Sequence, residues 1–256
     1  MEKIRSFILA ALFLATGTSL FAQTKKLNVI YIGDSITFGG GLSDPANDAP
    51  PVTASAYLHK QKGYEINFSN QGHSGYTTVD FLPGGSTFDQ AEKAASAYND
   101  KAGQLVFSIM LGTNDSAVKG TNGAPVNPES YYANLKIIID RLLTDFPKAK
   151  IIINHPLWYS PNTYNGAQYL QEGLNRLQSY SPKIKELVKS YNKTNKNHVF
   201  EGDNVGFNYF KGNYLTNYQA ENGHQGTFYL HPNKAGAVSL GEFWGKAIDG
   251  VVKKLQ

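Results

Sequence analysis

Cysteine is missing from all 256 residues, which excludes disulfides, a thiol nucleophile, a zinc–thiolate site and a lipid-modified N-terminal cysteine. Charge is also sparse: 17% of residues are Asp, Glu, Lys or Arg and the formal net charge is +4. No long basic run or basic helix face offers the contacts a phosphate backbone requires, so nucleic acid is not an expected partner. The apolar run Phe7–Ala15 falls well short of the roughly 20 residues a spanning helix needs, and no stable membrane anchor is expected. Nucleotide-binding signatures are lacking too. The first strand-like segment is followed by G-D-S-I-T-F-G rather than G-x-G-x-x-G, and no G-x-x-x-x-G-K-[ST] occurs. The six histidines show no metal-ligand spacing such as H-E-x-x-H. Neither a metal nor a cofactor is expected.

What is present has the makings of a core. The chain is 41% hydrophobic, enough at this length for one α/β domain over residues 23–256. Lys3 and Arg5, the apolar run Phe7–Ala15 and the segment Thr16–Ala22 have the layout of a secretory signal peptide. Cleavage after Ala22 and a periplasmic or secreted protein are expected, although Leu20 is larger than the ideal residue at that distance from the cut.

Val29–Ile32 is short and rich in β-branched residues, as a strand buried on both faces should be. Gly33 ends it, and Asp34, Ser35 and Thr37 are the first polar side chains beyond. Tyr64–Ser69, Gln104–Leu111, Lys150–Asn154 and His198–Glu201 read as further strands, and Gly39–Thr53 as a long loop. Helices are expected over Asp89–Tyr98, after the cap and first turn of Asn127-Pro128-Glu129, after His155–Tyr164 with a break near Ser181-Pro182, and after Asn233. Phe207–Tyr218 reads as an aromatic loop over the site. Strands alternating with crossover helices make a doubly wound α/β fold, in which ligands bind beyond the carboxyl ends of the strands.

Four loops carry chemistry to that edge: Ser35 after the first strand, Gly75 after the second, Asn114 after the third and His231 before the last helix. A serine hydroxyl is a weak nucleophile until a base within hydrogen-bond reach takes its proton, and His231 is such a base. The backbone N–H groups of Ser35 and Gly75 and the Asn114 amide could bind the oxyanion of a tetrahedral intermediate. Alone, each has a plainer use; Asp34 and Ser35, for instance, could simply cap a turn.

Taken together, Gly33-Asp34-Ser35, Gly75 within Asn70–Gly75, Gly112-Thr113-Asn114-Asp115 and His231-Pro232-Asn233 resemble the four blocks of the SGNH (GDSL-type) hydrolase family. The resemblance implies a flavodoxin-like three-layer sandwich with a mostly parallel, about five-stranded sheet. It also implies ester hydrolysis by Ser35 and His231 with an oxyanion hole at Ser35, Gly75 and Asn114. One departure stands out: Phe228 occupies the place, three residues before the histidine, where the family usually carries Asp. Among nearby acids Glu221 is the first choice as the partner of His231, ahead of Asp203 and Glu201. A main-chain carbonyl is slightly favoured over any of them, because the replacement is bulky and apolar.

The leading expectation is an exported serine esterase that removes O-acetyl groups from a glycan. Trp158, Tyr159, Tyr164, Phe207, Tyr209, Phe210, Tyr214 and Tyr218 could offer flat faces to sugar rings or merely pack. A lipolytic esterase, lysophospholipase or thioesterase, or a non-catalytic glycan-binding relative, are the alternatives.

Overall fold

Residues 25–99 and 101–254 are described by a computed structural model; the expected signal peptide and its cleavage point lie outside the described residues. The chain opens with β1 (Lys26–Gly33), α1 (Ser35–Phe38), α2 (Pro45–Asp48), α3 (Pro50–Lys62) and β2 (Glu65–Gly72). It continues through α4 (Ser86–Asn99), β3 (Gln104–Met110), α5 (Pro128–Asp145), β4 (Lys150–Ile153), α6 (Leu170–Thr194) and β5 (Val199–Glu201). Last come α7 (Gly206–Gly212), α8 (Tyr214–Asn217), β6 (Glu221–Gly223), β7 (Gly226–Phe228) and α9 (Lys234–Lys254).

Five strands form one parallel sheet in the order β2-β1-β3-β4-β5. β1 is buried from Leu27 to Gly33, as its continuous apolar run requires for a strand covered on both faces. Alternate side chains show the two layers. Tyr31 bonds Ser55 of α3 and stacks on Trp244 of α9, whereas Asn28 reaches the Tyr98 carbonyl of α4 on the opposite face. α5 and α6 join the α4 layer: Phe107, level with Ile30, packs on Phe146 at the end of α5, and Tyr131 of α5 stacks on Tyr180 of α6 at 4.0 Å.

The register positions the site. Gly33 at the end of β1 is level with Gly72 of β2 and Met110 of β3, so the loops leaving these three strands emerge side by side. The chain crosses from β1 to β2 on one side and returns to β3 on the other, which makes the gap between β1 and β3 the topological switch point where open α/β sheets bind ligands.

Two helix starts are as expected. Asn127 Oδ1 accepts from Ser130 N (2.8 Å) ahead of Pro128 at the start of α5, and Asn233 Oδ1 accepts from Gly236 N (3.0 Å) at the start of α9. Elsewhere tertiary packing overrides the local reading. Pro182 does not break α6, which runs unbroken to Thr194. An interior proline costs about 3 kcal/mol, but Leu174, Leu177 and Tyr180 before it and Ile184, Leu187 and Tyr191 after it are all buried, at roughly 1.5–3 kcal/mol for each large apolar side chain. Pro182 itself faces water, where the carbonyl it frees can be solvated. The Gly39–Thr53 loop is shorter than expected, because α2 forms within it and the prolines at 50 and 51 open α3. Phe207–Tyr218 is mostly the helical pair α7 and α8 rather than an open loop. The antiparallel β6–β7 hairpin had no counterpart in the sequence reading.

Candidate active site

The first residue of the site owes its position to a glycine. A Cβ on Gly33 would lie 2.0 Å from Thr37 Oγ1 and 2.6 Å from the Met110 carbonyl oxygen, so only glycine lets α1 fold straight back over the end of β1. Asp34 caps α1, its Oδ1 accepting from Ile36 N at 2.9 Å. Ser35 is thereby the first residue of a helix, where a backbone N–H has no acceptor within the helix.

Ser35 Oγ lies 2.9 Å from His231 Nε2, and His231 Nδ1 lies 2.9 Å from Glu221 Oε2. A carboxylate can only accept, so Nδ1 carries the proton and the Nε2 lone pair faces the serine hydroxyl. The other carboxylate oxygen, Glu221 Oε1, accepts from the His231 backbone N–H (3.1 Å). One side chain thus holds both the ring and the main chain of the histidine. Gln219 adds a clamp: its N–H donates to the His231 carbonyl (2.9 Å) and its Nε2 to the Gly40 (3.1 Å) and Pro232 (3.0 Å) carbonyls. The loop after Ser35 and the loop bearing His231 are tied together by it.

Gly75 and Asn114 complete the cleft. Gly75 has φ +82° and no protein atom within 4 Å of where a Cβ would be. What glycine supplies here is therefore the left-handed backbone, not a close approach within the protein. Its N–H has no protein acceptor among the described residues. Asn114 is buried; Nδ2 donates to the Tyr76 carbonyl (2.9 Å) and Oδ1 accepts from the Tyr169 hydroxyl (2.6 Å). These groups line an open cavity of about 440 Å³, with Gly40, Gly41, Ser74, Gly120, Thr121, Asn165, Gly166, Ala167, Tyr169 and Leu230 as the rest of its wall.

Two carboxyl groups lie beneath the cleft in full burial. Asp34 is pushed up to about 6, mainly by desolvation and against the pull of the Ile36 N–H. Asp115 is pushed up to about 7 by the same cause, although the Thr78 hydroxyl and N–H both donate to it. Asp34 Oδ2 and Thr37 Oγ1 have no hydrogen-bond partner among the described residues.

A nucleophile position, a base of fixed tautomer and convergent donors are what acyl transfer requires. The profile of the GDSL-like lipase/acylhydrolase family matches residues 31–238, a span that holds every residue of this site. The chain belongs to this family. Among solved structures it is similar to a carbohydrate acetylesterase from Sinorhizobium meliloti, with 18% identity, 88% of this chain and 99% of that one covered, and a TM-score of 0.57. It is likewise similar to a family 3 carbohydrate esterase from Clostridium thermocellum (17% identity, 90% and 99% covered, TM-score 0.57) and to an aryl esterase from M. smegmatis (17%, 88% and 99%, TM-score 0.57). At such identities the likeness is one of fold. No curated protein matches the chain.

Within this hydrolase family the chain departs at Phe228, and the hairpin explains how. Phe228 is buried, with its ring over Gly223. Glu221 is its direct partner across β6–β7, and side chains directly opposite on antiparallel strands project to the same face within about 5.5 Å. The carboxylate arrives from the opposing strand instead of from position 228. The expectation of a main-chain carbonyl is therefore wrong: His231 Nδ1 meets Glu221. The other two acids lie elsewhere. Glu201 bonds His155, and Asp203 Oδ1 accepts from Val205 N and Gly206 N.

None of the eight aromatics offered as sugar platforms lines the cavity. Tyr159, Phe210 and Tyr218 are core side chains, and Trp158 packs between Tyr214 and Tyr218. Tyr169 and Gln219, which do hold the site, went unnoticed in the sequence. Their contacts span 55 and 179 residues, and no local pattern marks them.

Proposed function

We propose that the chain is an exported serine esterase that removes O-acetyl groups from a glycan, with Ser35 as nucleophile, His231 as general base and Glu221 as its carboxylate partner. The observation that carries this reading is the unbroken hydrogen-bonded path from Ser35 through His231 to Glu221, opening into a cavity that also holds Gly75 and Asn114. His231 Nε2 takes the hydroxyl proton as Ser35 Oγ attacks the ester carbonyl carbon, and the carbonyl π pair moves to oxygen. Ser35 N–H, Gly75 N–H and Asn114 Nδ2–H meet that charge. Collapse of the intermediate breaks the bond to the sugar oxygen, which leaves with the proton from His231. Water then attacks the acyl-serine with the same base, and acetate is released.

The cavity wall supports a short acyl group. Glycines and small polar residues dominate it, and Leu230 is the one large aliphatic side chain among the described residues that line it. A long acyl chain gains about 0.8 kcal/mol for each methylene buried in an apolar groove, and this wall offers little to bury against. The similarity to a carbohydrate acetylesterase and a carbohydrate esterase points the same way. Export rests on the pattern of Lys3, Arg5 and Phe7–Ala15 and predicts a mature N-terminus near Gln23. The test is turnover of acetylated glycans and of simple esters of rising chain length. Acetyl esters should be fastest and Ser35→Ala inactive. A rate that climbs with chain length favours the lipolytic or thioesterase alternative, and no turnover of any ester favours a binding protein.

A further inference from the structure

The two ends of a carboxamide have nearly the same shape, so an asparagine that must present an N–H to an oxyanion needs something to fix which end points where. For Asn114 one side is set by the Tyr76 carbonyl, which can only accept and therefore faces Nδ2 at 2.9 Å. The other side is set by the Tyr169 hydroxyl at 2.6 Å from Oδ1. With the oxygen engaged by a donor and one Nδ2 proton spent on Tyr76, the second Nδ2 proton is left for the cavity.

We propose that Tyr169 is a positioning residue of the oxyanion site, its hydroxyl holding the Asn114 carboxamide so that this remaining N–H faces the oxygen that becomes charged. The proposal rests on the reading of Ser35, Gly75 and Asn114 given above. Tyr169 is itself held from the side away from the cavity. Its ring meets Tyr159 edge-on at 5.4 Å, the Tyr159 hydroxyl bonds Ser116 Oγ (2.9 Å), and Ser116 Oγ donates to the Thr113 carbonyl (2.7 Å). This path returns to the same turn that carries Asn114, so tyrosine and amide are fixed against one another. The backbone beside it is strained to match. Leu170 has φ +56°, a left-handed conformation that costs an L-residue roughly 1–2 kcal/mol, and the N–H groups of Tyr169 and Leu170 both donate to the Thr163 carbonyl at 3.2 Å. Strain of this kind persists where the surroundings over-determine it, often at functional sites. Burial, reinforced by Asp34, Tyr159 and Glu221, raises the Tyr169 hydroxyl far above its ordinary range, so it remains a proton donor at any working pH.

The experiment compares kcat and KM for a short-chain ester in the full protein and in Tyr169→Phe, Asn114→Ala and the double variant. Tyr169→Phe keeps the ring packing and should lower kcat about 10- to 100-fold with KM nearly unchanged, less than the roughly 10²–10³-fold expected when the donor itself is removed. The double variant should be no slower than Asn114→Ala alone, because the hydroxyl acts only through that amide. Binding of an alkylboronic acid, which forms a tetrahedral adduct on the nucleophile, should weaken in Tyr169→Phe by the same factor as kcat. Wild-type kcat in Tyr169→Phe while Asn114→Ala is impaired overturns the positioning role alone, as do multiplying losses in the double variant or unchanged boronate affinity. Wild-type kcat in Asn114→Ala overturns both this proposal and the oxyanion assignment beneath it.

Discussion

The described residues contain two hydrogen-bonded arrays of serine, histidine and glutamate. In one, Ser35 Oγ meets His231 Nε2 and Nδ1 meets Glu221, both at 2.9 Å. In the other, Ser181 Oγ meets His155 Nδ1 at 2.9 Å and Nε2 meets Glu201 at 3.0 Å. Residue types and distances are nearly the same, so neither can be what distinguishes them. The difference lies in the backbone. Ser35 begins a helix, beside the left-handed Gly75 and the Asn114 amide, where unspent N–H groups converge. Ser181 lies inside α6, where N–H groups are committed to the helical ladder, and Pro182 after it has none to give. His155 is more deeply buried than His231, and burial holds it below the ordinary histidine range despite the pull of Glu201. The second array ties β5 and the β4 loop to α6, and the backbone around its serine has no N–H to spare.

The largest contrast is expected from the two serines. Ser35→Ala should abolish ester hydrolysis with the fold intact, and Ser181→Ala should leave kcat/KM at the wild-type value; a large loss in the second would erase the distinction. Next come the two acids. A histidine whose carboxylate is replaced by an amide loses roughly 10⁴ in kcat in the serine-protease example, so Glu221→Gln should approach that loss, while Glu201→Gln should leave kcat unchanged. Asn114→Ala should cost about 10²–10³ in kcat with a smaller effect on KM.

The smallest effect concerns what lies under the Ser35 array. The Asp34 and Asp115 carboxyls are raised from 3.8 to about 6 and about 7 in the folded protein. Between pH of about 4 and 7 the folded state therefore keeps protons that the unfolded state has released, and stability falls as pH rises through that window. Asp34→Asn, whose Oδ1 can still cap Ile36, should show a smaller drop in Tm from pH 4.5 to 7.5 (roughly spanning that window) than the wild type. Ser181→Ala should show the full drop. Equal drops in Asp34→Asn and wild type would mean that Asp34 does not titrate there.

The parts of this arrangement that were legible in the sequence are those built from neighbours in the chain. Val29–Ile32 announced its strand by composition, and Ser35, Gly75, Asn114 and His231 stand in short blocks at the ends of elements, so the fold and four positions of the cleft could be read directly. Glu221 was only a candidate among several. Its role depends on pairing across a hairpin of two three-residue strands, too short for any periodicity, and the glycines of Glu221–Phe228 are the only trace the hairpin leaves. Pro182 carries the local signature of a helix break, but burial along the whole of α6 decides. The aromatics of Phe207–Tyr218 misled because an aromatic-rich segment reads alike whether its rings face solvent or, as Phe210 and Tyr218 do, the core.

The central claim, that a serine–histidine–glutamate triple acts on esters here only where oxyanion donors converge beside its serine, is tested most directly by labelling with a fluorophosphonate and mapping the adduct by peptide mass spectrometry. The reagent forms a stable tetrahedral adduct only on a serine that a base activates and an oxyanion site receives. One phosphonyl group on Ser35 and none on Ser181 is the predicted result. An adduct on Ser181, or an unmodified Ser35 in protein that hydrolyses esters, would contradict it.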